Sequence, residues 1–170
     1  SPGHGSPRWS PSGDRLLYVS TEDGGAEIWL RWMDTGQTAK LTNLTNSPGG
    51  LAWSPDGTQI AFTMFVPEKR NPLDVQMPAP PDGADWGPPF RVIDNMNYRA
   101  DGNPGFVPDG HVQLFVIPAE GGTPRQLTSG PYDHTSPAWM PDGGSILVSA
   151  NRREDAEHEP MDSEIYRVDV

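Results

Sequence analysis

One turn is written three times along this chain, as Trp9-Ser-Pro-Ser-Gly13, Trp53-Ser-Pro-Asp-Gly57 and Trp139-Met-Pro-Asp-Gly143, and each tryptophan is followed seven positions later by Leu16, Ile60 or Ile146. Serine, proline, aspartate or serine, and glycine are the residues that a type I turn prefers at its successive positions. The motif therefore predicts a hairpin. Short segments ending in tryptophan precede it, and β-branched or aromatic runs follow it at Leu16 to Val19, Ile60 to Thr63 and Ile146 to Ser149.

A third strand is expected in every copy, at Ile28 to Arg31, Leu114 to Ile117 and Ile165 to Val168. In two copies the turns Asp34 to Gly36 and Glu120 to Gly122 lead to a fourth, at Leu41-Thr42 and Leu127-Thr128. From Ile28 to Trp53 and from Leu114 to Trp139 these copies align without a gap. Four antiparallel strands recurring at roughly 40 to 45 residues is the sequence form of a β-propeller blade. The expected fold is all-β, a partial propeller of about three blades. Trp9, Gly13, Trp53, Asp56, Gly57, Trp139, Asp142 and Gly143 are its structural repeat positions.

The spacing between copies is uneven, 44 positions from Trp9 to Trp53 and 86 from Trp53 to Trp139. From second strand to third the chain takes 12 residues in the first unit, 54 in the second and 19 in the third, so the excess sits at one hairpin. Phe106-Val-Pro-Asp-Gly110 imitates the turn, but no third and fourth strand would remain to complete a blade before Leu127-Thr128. The expected blades are 1–45, 46–130 with an insertion from Met64 to His111, and 131–170 lacking its fourth strand. A closed ring takes about 4 to 8 blades. Three make an arc, so the expectation is that further blades lie in a longer chain or that copies associate to close a ring.

Composition narrows the function. Twenty prolines and 19 glycines among 170 residues fit a turn-rich β protein, and no helical period appears. The chain has no cysteine and no apolar segment near the ~20 residues of a membrane span. A net charge of −11 argues against a nucleic-acid or anionic-membrane partner. Glu154, Asp155, Glu157, Glu159, Asp162 and Glu164 crowd one loop, which reads as a solvated hairpin tip and fits no standard calcium loop. A cytoplasmic location is favoured, with periplasmic or secreted placement left open.

The chemistry-bearing residues form no catalytic constellation. No Gly-x-Ser-x-Gly elbow is present, and His4, His111, His134 and His158 stand singly without ligand spacing. Asp133 and His134 are adjacent, which on a strand sends their side chains to opposite faces. No catalytic residue, metal site or cofactor is expected. Repetition of Trp9, Trp53 and Trp139 at equivalent places argues for packing between blades. The insertion is the functional candidate, because connections beyond about 15 residues are usually functional or disordered. Its first part is proline-rich, and Phe90 to Asp94 with Asn97 to Arg99 could form an extra hairpin. Arg91, Tyr98, Arg99 and Asp101 are the candidate substrate contacts.

Trp-Ser-Pro-Asp-Gly followed by Ile-Ala-Phe and later Gln-Leu-Thr resembles the repeat of TolB-like propellers, which prolyl oligopeptidase family peptidases share. Arg91-Val-Ile, Asn97-Tyr-Arg-Ala-Asp-Gly102, the run from His111 to Gly122, Gly130 to Trp139 and the acidic loop before Ser163-Glu-Ile-Tyr166 are similar to acylaminoacyl-peptidase-like members. Met140 and Ser12 depart from the repeat, and the proline-rich half of the insertion has no counterpart. The resemblance implies a serine exopeptidase or oligopeptidase whose α/β-hydrolase domain, with its Ser, Asp and His triad, lies outside this chain. The partners it implies are the remaining blades, that domain and a peptide substrate. The alternatives are a non-enzymatic TolB-like propeller that binds partner proteins, and a segment that self-associates.

Overall fold

The computed structural model describes residues 3–68, 78–84, 93, 96–102 and 104–170. Its strands are β1 (His4–Trp9), β2 (Arg15–Ser20), β3 (Glu27–Trp32), β4 (Thr38–Lys40), β5 (Pro48–Trp53), β6 (Gln59–Pro67), β7 (Gly110–Pro118), β8 (Arg125–Gln126), β9 (Thr135–Trp139), β10 (Ser145–Ala150) and β11 (Glu164–Asp169). They form three antiparallel sheets ordered β1-β2-β3-β4, β5-β6-β7-β8 and β9-β10-β11. Among the described residues there is no helix.

The repeated turn closes each β-hairpin as its residue types require. Gly13, Gly57 and Gly143 donate to the carbonyls of Ser10, Ser54 and Met140, each at 2.9 Å. Their φ values of 75°, 70° and 69° are the left-handed conformation that only glycine takes without strain. Asp56 accepts from the Ser54 hydroxyl at 2.6 Å and from the Thr58 amide at 3.1 Å, which holds its carboxyl below the ordinary carboxylate range. Where the first copy has Ser12, Asp14 takes over, accepting from the hydroxyls of Ser12 and Ser10. Those two bonds, Ser12 foremost, also lower its carboxyl. In the third copy Met140 offers no hydroxyl, and Asp142 accepts from the Gly144 amide at 3.0 Å.

The three sheets stack side by side, with the middle one covered on both faces. Ile60, Phe62, Phe115 and Ile117 of the second sheet pack with Leu17, Ile28 and Leu30 of the first. The alternate residues Ala61, Leu114 and Val116 pack with Ile146 and Val148 of the third. Side chains alternate across a strand, so a strand buried on both faces reads as an unbroken apolar run, as Ile60 to Phe62 and Leu114 to Ile117 do. Phe62 and Phe115 stack across the β6–β7 pair with centroids 5.5 Å apart.

Two repeated devices join the sheets. The Trp53 indole donates to the Arg8 carbonyl at 3.1 Å and the Trp139 indole to the Ala52 carbonyl at 3.2 Å, so each tryptophan latches onto the first strand of the preceding sheet. The first strands also break register at one equivalent place, where Ser6, Gly50 and Ser136 have φ of 53°, 57° and 53°. At the middle position a Cβ would lie 2.8 Å from Pro137 Cδ, so a side chain there would force the neighbouring sheet to shift.

Within a sheet, fourth strand and third strand are clasped by a residue pair that sequence reading did not single out. The Ile28 amide donates to the Thr42 hydroxyl at 2.9 Å, and that hydroxyl donates to the buried Glu27 carboxylate at 2.6 Å. The Leu44 amide also donates to Glu27, at 3.0 Å. In the second sheet the Leu114 amide, Thr128 and Gln113 repeat this, at 2.9 and 2.8 Å, and the Gln113 amide donates to the Gly130 carbonyl at 3.0 Å. The expected fourth strands fall one register early: β4 and β8 end at Lys40 and Gln126, and Leu41 and Leu127 continue the ladder by donating to Ile28 and Leu114, each at 2.8 Å.

The insertion begins later and ends earlier than the spacing suggested. β6 and β7 stay paired out to Pro67 and Gly110, so Met64 to Pro67 and Gly110-His111 are strand and the connection is 68–109. Leu114 to Val116 pair with β6 as a third strand, so Phe106 to Gly110 does not open a blade. Ile93 and Asn97 to Arg99 carry no strand. Phe90, Val92 and Asp94 lie outside the described residues.

Candidate functional site

At one end of the second and third sheets the β6–β7 connection and the acidic β10–β11 loop enclose a cleft of about 790 Å³. Strand ends supply its floor at Glu68, Asp109, Gly110 and His111, with Thr135, Ser149 and Asn151 from the neighbouring sheet. Met96 and Asn97 form part of one wall, and Glu157, Pro160 and Ser163 part of another. The two walls touch: the Met96 amide donates to the Glu157 carboxylate at 3.3 Å. A β-hairpin extended beyond its neighbours is what lifts the connection over this end.

The acidic loop folds on itself. Arg153 bridges Asp155 at 2.8 Å and Asp162 at 2.9 Å, while the Asn151 side chain donates to the Glu159 carbonyl at 2.8 Å. Arg153 hydrogen bonding lowers the Asp155 carboxyl. Among the described residues no group of three or more histidine, aspartate or glutamate side chains could hold a metal ion.

Asp133 and His134 diverge, as neighbours on an extended chain do. Asp133 accepts from the Val112 amide at 2.7 Å and lies 3.5 Å from His111. His134 is fully buried, its backbone donating to the Val112 carbonyl at 2.8 Å. Its Nε2 meets the Arg152 guanidinium at 2.8 Å, so Nε2 accepts and the ring proton sits on Nδ1, which is buried with no partner among the described residues. Arg152 also lies over the Tyr166 ring at 4.0 Å. Burial, with the Arg152 charge second, pushes the His134 imidazole below its ordinary 6.5.

The candidate contacts divide. Tyr98 and Arg99 sit beside the cleft with their faces on Phe106: the Tyr98 and Phe106 ring centroids are 6.5 Å apart and the Arg99 guanidinium is 5.0 Å from the Phe106 ring. Asp101 lies in an exposed turn. Arg91 lies outside the described residues. The cleft itself is lined by Glu68, Asp109, Asp133, Glu157 and His111, none of which the sequence had singled out as a contact. Glu68, Asp109 and His111 flank the long connection at strand ends, Asp133 precedes β9, and Glu157 belongs to the acidic loop between β10 and β11. Among the described residues no hydroxyl is hydrogen-bonded to a histidine.

The fold has counterparts among solved structures, and the sequence has relatives. The chain is 32% identical over 149 residues to the uncharacterized peptidase YuxL of Bacillus subtilis (strain 168), a match over 87% of this chain and 22% of that protein. It is a TolB-like propeller segment of the kind found in prolyl oligopeptidase family peptidases. Acylaminoacyl peptidase of Pyrococcus horikoshii superposes with a TM-score of 0.65 at 18% identity, over 97% of this chain and 23% of that one. TolB of Acinetobacter baumannii gives a TM-score of 0.57 at 18% identity, over 98% of this chain and 30% of that one. No protein-family model matches. The segment thus spans about a fifth of the peptidase relative's length. Among the described residues no helix is long and apolar enough to cross a membrane.

Proposed function

We propose that this propeller segment belongs to a serine exopeptidase or oligopeptidase of the acylaminoacyl-peptidase type, and that it gates and selects peptides for an α/β-hydrolase domain outside the chain. The observation that carries the reading is the cleft between the long β6–β7 connection and the acidic loop. A polar cleft built from connections at one end of a sheet scaffold is a place where a peptide could be recognised apart from the catalytic domain. The likeness to YuxL supports a peptidase parent. The blades then run over 1–45, 46–130 and 131–170, the site is the connection with its Tyr98, Arg99 and Asp101 flank, and the location is cytoplasmic.

The test is deletion of residues 70–90 in the intact peptidase, with kcat/KM measured over peptides of increasing length. The deletion should raise relative activity on long peptides. An unchanged length preference refutes the gating role.

The TolB likeness supports a second reading, a non-enzymatic propeller that binds a partner protein across its face. The coding sequence beyond Val170 separates the two. The peptidase reading requires a Gly-x-Ser-x-Gly elbow there.

A further inference from the structure

The acidic loop is tied within itself and fastened to its surroundings at few points. Internally, Arg153 bridges Asp155 and Asp162, and the Asn151 side chain donates to the Glu159 carbonyl. Among the described residues, the side-chain hydrogen bonds that tie 151–163 to the rest of the protein are those of Glu157 with the Met96 amide and of Arg152 with His134. The first joins the two walls of the cleft, and the second anchors the loop where it leaves β10.

That anchor is flanked by cleft residues on both segments. Asp133 and Thr135, on either side of His134, line the cleft, and so do Ala150 and Asn151, which precede Arg152. His134 itself is fully buried. Facing it are Arg152 from the end of β10, Tyr132 and Asp133 from its own segment, and β7, where the Val112 carbonyl takes its amide and His111 stands 3.5 Å from Asp133. Tyr166 and Glu164 of β11 attend Arg152: the guanidinium lies 4.0 Å over the Tyr166 ring, whose hydroxyl donates to Glu164 at 3.2 Å. Among the described residues Arg152 has one hydrogen-bond acceptor, the Nε2 lone pair of His134.

We propose that this pair is a pH-sensitive catch on the cleft: neutral His134 retains Arg152 and with it the acidic loop, and a proton on His134 expels Arg152 and frees the Glu157 wall from Met96. A protonated imidazole has no lone pair at Nε2, so the bond to Arg152 is lost and two cations meet at 2.8 Å in a buried place. Glu164, held at the hydroxyl of the same tyrosine, offers the expelled guanidinium a carboxylate. Burial, and after it the Arg152 charge, disfavour the imidazolium, so the catch holds at pH 6.5 and lets go on the acid side of it. The catch rests on the peptide-gating reading for its use, not for its movement.

Spin labels on the full chain, which has no cysteine of its own, read that movement. Met161→Cys carries one label on the acidic loop at a 92% exposed site, and Arg125→Cys carries the other on an exposed position of β8. Double electron–electron resonance should show one distance at about pH 8 and a longer one on acidification, their ratio changing about tenfold per pH unit as one proton binds. Long-range nitrogen–proton NMR of the His134 ring should titrate with the same midpoint. His134→Gln, whose amide oxygen still accepts from Arg152 and does not titrate, should keep the shorter distance throughout. Arg152→Gln, which removes the second cation, should abolish the pH response and serves should the histidine variant lose its near-UV circular dichroism. A loop that opens with a midpoint unlike that of His134, or a folded variant of either kind that still opens, overturns the catch. So does a distance that stays fixed while His134 titrates, or a His134 that stays neutral until the chain unfolds. Opening as expected, with no effect of pH on the peptide lengths the intact peptidase accepts, refutes the gating reading and leaves the catch standing.

Discussion

Replacing Gly50 with alanine probes the contact on which the stacking of the second and third sheets turns. At φ of 57° the residue is left-handed, and a Cβ would stand 2.8 Å from Pro137 Cδ, 3.2 Å from Thr63 Oγ1 and 3.3 Å from Pro137 Cγ. A left-handed alanine costs about 1–2 kcal/mol. Forcing a methyl into a filled interface costs about 1–3 kcal/mol more. The expected loss is therefore about 3 kcal/mol, a large part of the ~5–15 kcal/mol that holds a domain folded. With a urea slope near 2 kcal/mol/M, the midpoint should fall by about 1.5 M. Two controls divide the loss. Ser6 already holds a similar left-handed φ, 53° against 57° at Gly50, with a Cβ, so Ser6→Ala should be nearly neutral. In a Pro137→Ala background the two proline contacts are gone and only the Thr63 Oγ1 approach of 3.2 Å remains, so Gly50→Ala should then lose little more than the ~1–2 kcal/mol of backbone strain. A loss under about 1 kcal/mol, or no coupling between Gly50 and Pro137 in the double-mutant cycle, would refute the reasoning.

Two further outcomes are expected. Thr42→Val and Thr128→Val should each lose about 1–3 kcal/mol in chemical denaturation, since each strands a buried partner at Glu27 or Gln113; equal stability to wild type would show that water replaces the hydroxyl. The His134 imidazole is depressed below 6.5 in the fold, so the unfolded chain binds more protons as pH falls. Its contribution is complete above 6.5 and is lost progressively below it. The urea midpoint should decline from about pH 7 to about pH 5, and His134→Gln should flatten that decline; an equal decline in the variant assigns it to other groups.

The repeated turn made much of the fold legible, because hairpin chemistry and strand alternation are local properties that each copy states on its own. The seven-position step from Trp53 to Ile60 coincides with a cross-strand pair of the observed hairpin. The extent of the β6–β7 hairpin was not legible, since Met64 to Pro67 pair with residues more than 40 positions away across the connection. Glu27 and Gln113 stand one position before the start of the gap-free alignment, outside the stretch that sequence reading compared. Their meaning depends on tertiary placement, where the Glu27 carboxylate and the Gln113 amide each present an oxygen that accepts from a threonine hydroxyl.

The sequence by itself determined strand order, the turn glycines and the place of the long connection, since these rest on residue types and counting. Only the tertiary structure decided which carbonyl each tryptophan finds, what a side chain at Gly50 would displace, and which carboxylates line the cleft. Those facts are set by the spacing between stacked sheets and by loops meeting at one end, distances that no local pattern in the chain encodes.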